Sequence, residues 1–457
     1  MSKKLIKGGM ILTMDPAKGD FKKGDILIED GKIVDVHHEI QAEDCEVIDA
    51  ENMIVMPGFV DSHRHTWESV IRNTGADWSL QKYLGSIYYG NIGSKRRPQD
   101  DYIGNLLGAL EALEAGVTTI LDWTMIISKD HAEEMIRGLK ESNIRGVFAY
   151  GCPGDGDYWN RESTLTNGDD ARSIANQYFS SKDQRLTMGL AIRGPEFCSW
   201  DTSVEEIKLA RELDGVASMH LGFGTWGAID RSIEKLNNAG LLGSDLNFAH
   251  ANAVSPEEMK LLAEHGGSVS VTPEVEMAMG HGYPATGLSL ENGVKPALGV
   301  DVVTSTGGDM FAQMKFALQA ERSRINDQLL AKGEMPGPPL NIHARQVLEM
   351  ATIDSAKALK LDHKTGSLTP GKEADIIMIR TDDLNLFPVN DPLGAVVTST
   401  HTGNVDSVFV SGEAVKRNGK MIGLDYKSLR KQAVEARNHI YNEFGNPDEL
   451  WLHENNK

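Results

Sequence analysis

Between residues 56 and 300 the chain alternates short, almost wholly apolar runs with amphipathic stretches. A run that is apolar on both faces needs cover on both faces, and a helix between successive runs supplies it when the runs form a parallel sheet. Eight such runs occur, at 56–62, 118–123, 146–150, 186–192, 216–220, 246–250, 268–272 and 296–300. Helical periodicity marks 102–115, 132–141, 204–213, 229–239 and 256–264 between them. The last is preceded by Ser255-Pro256-Glu257-Glu258, an N-cap followed by proline and a negatively charged first turn. Eight parallel strands with intervening helices predict a (β/α)8 barrel over residues 58–366.

The flanks read differently. Short β-type runs lie at 5–14, 25–29 and 32–36, with Asp30-Gly31 as a hairpin signal, and the same texture returns at 374–379 and 405–411. These segments predict a small β-sandwich assembled from residues 1–57 and 367–422. Residues 423–457 then form a helical tail, with one polar-faced helix over 426–444. The fold class expected is therefore α/β, a barrel of the triose-phosphate-isomerase type carrying a composite β-domain.

Composition narrows the function. The chain has 457 residues, of which 40% are hydrophobic and 25% charged, as in folded globular proteins. A formal net charge of -20 opposes binding to nucleic acid or an anionic membrane, so a small-molecule substrate is expected. The start, Met1 to Gly9, lacks an apolar signal-peptide core, and no apolar stretch reaches the ~18 residues of a membrane span. Cys45, Cys152 and Cys198 are widely spaced, which suits free thiols and a cytoplasmic protein.

Chemistry enters where polar residues meet strand ends. His63 and His65 follow the first run, His220 ends the fifth, His250 ends the sixth and Asp301 follows the eighth. In a (β/α)8 barrel all these ends converge on one mouth, so residues far apart in sequence become neighbours. His63 and His65, two apart on an extended segment, point to the same side. With His220 and Asp301 they make a mixed nitrogen and oxygen set for one divalent metal ion, Zn first, with Fe or Mn as further options. Each histidine taken singly, including His131, His265, His343 and His363, reads as an ordinary hydrogen-bonded side chain.

The segment Pro57-Gly58-Phe59-Val60-Asp61-Ser62-His63-Arg64-His65 resembles the PGxxDxHxH signature of the amidohydrolase superfamily, and Gly366 to Asp375 resembles its closing G-S-L-x-x-G-K-x-A-D strand. The tract His63 to Glu68 is most similar to the cytosine deaminase, S-triazine hydrolase and guanine deaminase branch. The resemblance implies one metal held by His63, His65, His220 and Asp301, a substrate or water contact from His250, and a homodimer or homotetramer. It also implies a glutamate three residues after His220, where this chain has Phe223. Glu196, Glu274, or Glu276 with His281 are the candidate substitutes.

Asp301 is then expected to take a proton from water and His250 to stabilise charge on the adduct, with Glu276 as the replacement acid. Trp67 and Arg193 are expected to stack on and hydrogen-bond a planar substrate, with further contacts from His281 and Asp309. Asp309 equally suits the cap of the following helix. The reaction expected is hydrolytic cleavage of a C–N bond at an sp2 ring carbon of a small N-heterocycle. Displacement of halide or sulfur from such a ring is the alternative, and a non-catalytic scaffold barrel is the contrasting class.

Overall fold

The computed structural model describes residues 3–444; the end of the helical tail expected over 423–457 lies outside the described residues. Eight parallel strands form one sheet in sequential order: β1 (Phe59–Arg64), β2 (Val117–Trp123), β3 (Arg145–Gly151), β4 (Leu186–Ile192), β5 (Ala217–Leu221), β6 (Leu246–His250), β7 (Ser268–Val271) and β8 (Ala297–Leu298). Strand β8 is only two residues long, yet the ring closes beside it. The amide of Asp301 donates to the His63 carbonyl at 2.8 Å, and that of His65 donates to the Asp301 carbonyl at 2.9 Å. Gly299 permits this approach, because a Cβ there would stand 2.8 Å from the His63 carbonyl oxygen.

A second, mixed sheet of nine strands takes Lys3–Ile11, Phe21–Glu29, Lys32–His37, Glu46–Asp49 and Met53–Pro57 from the front of the chain. Ile376–Arg380, Val405–Val410, Glu413–Arg417 and Lys420–Met421 come from the back, and Met53–Pro57 pairs with Ile376–Arg380 to join the two sets. The Asp30-Gly31 turn has φ of 47° and 83°, the left-handed pair that a two-residue hairpin requires.

Two expectations need correction. The single run at 56–62 is divided at Gly58 between the two sheets, since Met53–Pro57 belongs to the mixed sheet and Phe59–Arg64 to the barrel. Gly58 is where the chain crosses, its amide donating to the Asp375 carbonyl and a Cβ there colliding with Thr118. The stretch at 229–239 is two helices, Trp226–Asp230 and Ser232–Asn238, broken at Arg231 with φ of 49°. Arg161 grips Asp230 through two hydrogen bonds of 2.6 and 2.7 Å at that break. By contrast, Pro256–His265 is capped as its sequence implies, with Ser255 and Glu258 in a reciprocal capping box and Gly266 closing it at φ 72°.

Barrel and mixed sheet are locked together by Arg145 on β3. Its buried guanidinium donates to both Asp375 carboxylate oxygens, at 2.6 and 3.2 Å, and to the Ser411 hydroxyl at 2.7 Å. Arg145→Met removes the cation and leaves Asp375 buried without it, which is expected to cost about 3–5 kcal/mol. Urea titration checks this; a loss below about 1 kcal/mol would show the clamp to be dispensable. Among the described residues no helix is long and apolar enough to cross a membrane.

Candidate metal centre and active site

The barrel mouth gathers His63 from β1, His65 just after it, His220 from β5 and Asp301 beyond β8. One ligand atom from each falls in a cluster no more than 4.8 Å across, and all four side chains are buried. The Nε2 of His220 lies 3.1 Å from that of His63 and 3.4 Å from that of His65. Asp301 Oδ1 is 3.3 Å from both the His63 and the His65 Nε2 atoms. Burial lowers the His63 pKa, and burial together with His63 and His65 lowers that of His220 well below the usual value, so both rings are neutral with lone pairs to give. Burial alone would raise Asp301, but hydrogen bonds from His63 and His65 hold it well below the normal carboxylate range. Three imidazole nitrogens and a carboxylate facing one point suit a divalent cation such as zinc.

Backbone geometry aims these groups. Asp301 has φ of 67° and His250 has φ of 75°, left-handed conformations that non-glycine residues rarely adopt and that cost on the order of 1–3 kcal/mol each. Asp61 braces the cluster from behind. Its Oδ1 accepts from the amides of His63 at 3.2 Å and Val300 at 3.0 Å, and Arg64 donates to its Oδ2 at 3.0 Å.

His250 stands beside the cluster, its Nε2 3.9 Å from Asp301 Oδ2 and its Nδ1 3.2 Å from Glu276 Oε1. That oxygen of Glu276 also accepts from the Thr272 amide at 2.9 Å. Burial depresses His250 to about 3 and pushes Glu276 up to about 7. The structure thus aligns Asp301, His250 and Glu276 in one row. His281 lies next in line, with its ring centroid 4.7 Å from that of His250, and burial lowers it to about 3.

The remaining expected contacts fall elsewhere. Trp67 is fully buried with the Arg96 guanidinium 3.9 Å above its ring, and is not part of the pocket wall. Arg193 is consumed by Glu206, at 2.7–2.9 Å, and by the carbonyls of Tyr158 and Leu165. Asp309 caps the helix Met310–Leu330 by accepting from the Ala312 amide at 3.0 Å, the alternative its position allowed. Glu196 accepts from the Gly222 amide and the Ser232 hydroxyl, so it secures the loop after His220. Glu274 is held by Gln313.

Over the cluster lies a cavity of about 360 Å³ including its mouth. Its wall is aromatic, with Tyr83, Tyr88, Trp159, Phe197 and Phe223 among its residues. Sequence patterns did not mark the first four, since aromatic residues on helices and loops read as ordinary core. Phe223 packs 5.1 Å from the His250 ring and 5.3 Å from that of His281, occupying the space where the expected glutamate would stand.

Behind the wall, Glu68 is fully buried and accepts from the Tyr83 hydroxyl at 2.8 Å and the Thr304 hydroxyl at 3.1 Å. Burial pushes its carboxyl from 4.5 up to about 8. Because the folded value lies above the unfolded one, its stabilising contribution is complete below pH 4.5 and is lost as pH rises towards about 8. In metal-free protein this group is expected to subtract up to about 1.4 kcal/mol per pH unit between about pH 4.5 and pH 8. Glu68→Gln should flatten that slope in urea titrations, and equal slopes in the two proteins would contradict the assignment.

Comparison with known proteins agrees with this architecture. The chain is 28% identical over 445 residues to the 5'-deoxyadenosine deaminase of Methanosarcina barkeri, covering 94% of this chain and 97% of that protein. It is 29% identical over 434 residues to the 5-methylthioadenosine/S-adenosylhomocysteine deaminase of Pyrococcus furiosus, covering 93% and 98%. Among solved structures, an adenosine deaminase from Xanthomonas campestris with bound zinc superposes with a TM-score of 0.84 at 19% identity, covering 96% of this chain and 99% of the other. A mutant atrazine chlorohydrolase from Arthrobacter aurescens, complexed with zinc and atraton, gives 0.83 at 21% identity, covering 95% and 100%. At these identities the structures establish a shared fold. The amidohydrolase family pattern matches residues 54–415, from the strand that leads into the barrel through most of the closing sheet, and the chain belongs to the amidohydrolase family.

Proposed function

We propose that this protein is a zinc-dependent hydrolase that adds water to an sp2 ring carbon of a small N-heterocycle and cleaves a C–N bond there. The observation that carries the reading is the buried His63, His65, His220 and Asp301 cluster at the floor of an aromatic-walled cavity. The names of the similar deaminases and the zinc in the similar structures support it.

A divalent ion in this cluster would supply the lowering of water's pKa from 15.7 towards ~7. Asp301 takes a proton from the attacking water, and its depressed pKa keeps it ionised for that task. His250, 3.9 Å from Asp301, stabilises the charge that builds up on the adduct as the ring carbon becomes tetrahedral. Glu276 fixes the His250 ring through Nδ1, and burial pushes its own carboxyl up to about 7. The aromatic wall holds the ring flat and keeps bulk water out.

Displacement of halide or sulfur is favoured by one observation. Among the described residues of the cavity wall Asp301 is the sole carboxylate, with Phe223 where an acid was expected, and an anionic leaving group needs no such acid. The test is metal analysis, followed by assay with and without a chelator on aminated, halogenated and thio-substituted pyrimidines, purines and triazines. Close to one ion per chain, and chelator-sensitive release of ammonia, supports the reading; halide or sulfide instead selects the second. Absence of metal after reconstitution with zinc would overturn both.

The reading includes a cytoplasmic homodimer or homotetramer. Three free cysteines suit a reducing compartment, and Leu384 with Phe387, exposed on one loop, offers an apolar contact between subunits.

A further inference from the structure

The cavity wall is sparing in hydrogen-bonding groups. Apart from the metal ligands, its polar side-chain atoms are the Tyr83 and Tyr88 hydroxyls, the rings of His250 and His281, and the Trp159 indole. The Trp159 indole N–H is already spent on the Pro153 carbonyl at 2.8 Å. Among the described residues lining it there is no Asn, Gln, Lys, Arg or Glu, and the other surfaces are Leu80, Leu84, Phe197, Phe223 and Met279. The space is tight, about 360 Å³ even when the open solvent at its mouth is counted.

Two of these groups, Tyr83 and Tyr88, are neighbours. The Tyr83 hydroxyl is fixed by donating to Glu68, whose second oxygen is held by Thr304, so its lone pairs have a set direction. Tyr88 lies beside it with ring centroids 5.9 Å apart, and Trp159 meets the Tyr88 ring edge-on at 4.5 Å. Burial raises both tyrosines well above their ordinary values, so each remains a neutral hydroxyl across the physiological range.

We propose that this site selects a compact, uncharged planar heterocycle in its bare form over the same ring carrying ribose, with the Tyr83 hydroxyl contacting the polar edge of the ring. The proposal rests on the reading of the site as a heterocycle hydrolase. A bare ring is satisfied by aromatic faces and a few in-plane partners. A ribosyl group brings hydroxyls that would be stripped of water against leucine, phenylalanine and methionine, and an unpaired buried hydroxyl lowers affinity by on the order of ten-fold. The similar deaminases are named for nucleoside derivatives, so this chain's wall would mark a different choice on a shared barrel.

The test is calorimetric binding to the zinc-loaded protein of three matched pairs: adenine with 5'-deoxyadenosine, cytosine with cytidine, and guanine with guanosine. At least one bare ring is expected to bind about ten-fold or more tightly than its ribosylated partner. Tyr83→Phe is expected to weaken that ring by about three- to ten-fold and the partner by less. Equal or tighter binding of the nucleosides, or no binding by either member of any pair, would overturn the proposal. Ammonia release is read separately: selective binding without turnover would leave the specificity standing and count against the hydrolase reading alone.

Discussion

His220→Ala is expected to leave a folded barrel that no longer retains metal and no longer turns over substrate. His220 places its Nε2 3.1 Å from that of His63 and 3.4 Å from that of His65. Altering a group that merely orients a ligand already costs about 10–100-fold in metal affinity, so deleting a ligand should cost at least about 100-fold. Metal analysis after dialysis, beside a circular dichroism spectrum, checks this. Stoichiometric metal retained with wild-type turnover would remove His220 from the centre.

Asp301→Asn separates metal binding from proton transfer. Asparagine keeps the shape of the side chain but cannot accept a proton from water at neutral pH. Assayed at saturating zinc, the variant is expected to lose about 10²–10⁴-fold in kcat, the range supplied by a positioned general base. Because His63 and His65 hold the Asp301 carboxyl so low, the wild-type rate should show no loss from its protonation at mildly acidic pH. A kcat within about ten-fold of wild type would assign the proton to another group, with His250 next in position.

The site was partly legible in the sequence for a specific reason. His63, His65, His220, His250 and Asp301 end apolar runs, and the barrel topology converts the end of each run into a place at one mouth. Glu276 could be suspected from the acid and histidine content of its segment, but its contact with His250 comes from the turn at Thr272 into the helix Pro273–Met279. Trp67 and Arg193 show the opposite. Both carry suitable groups near strand ends, yet Arg96 and Glu206 occupy them, and no local pattern records partners 29 and 13 residues away.

Strand periodicity, turn chemistry at Asp30-Gly31, capping at Ser255 and the placement of His63, His65, His220 and Asp301 at one mouth are local or topological properties, and the sequence by itself determined them. The cavity wall was decided only by tertiary structure. Tyr83 comes from the helix Leu80–Ile87 and Tyr88 from the residue just after it, Trp159 and Phe197 from the loops after β3 and β4, and Phe223 from the loop after β5. Which of their faces meets substrate depends on how four separate segments pack against one another. Close packing couples those orientations across the mouth, while hydrophobicity in sequence tells only that each side chain avoids water.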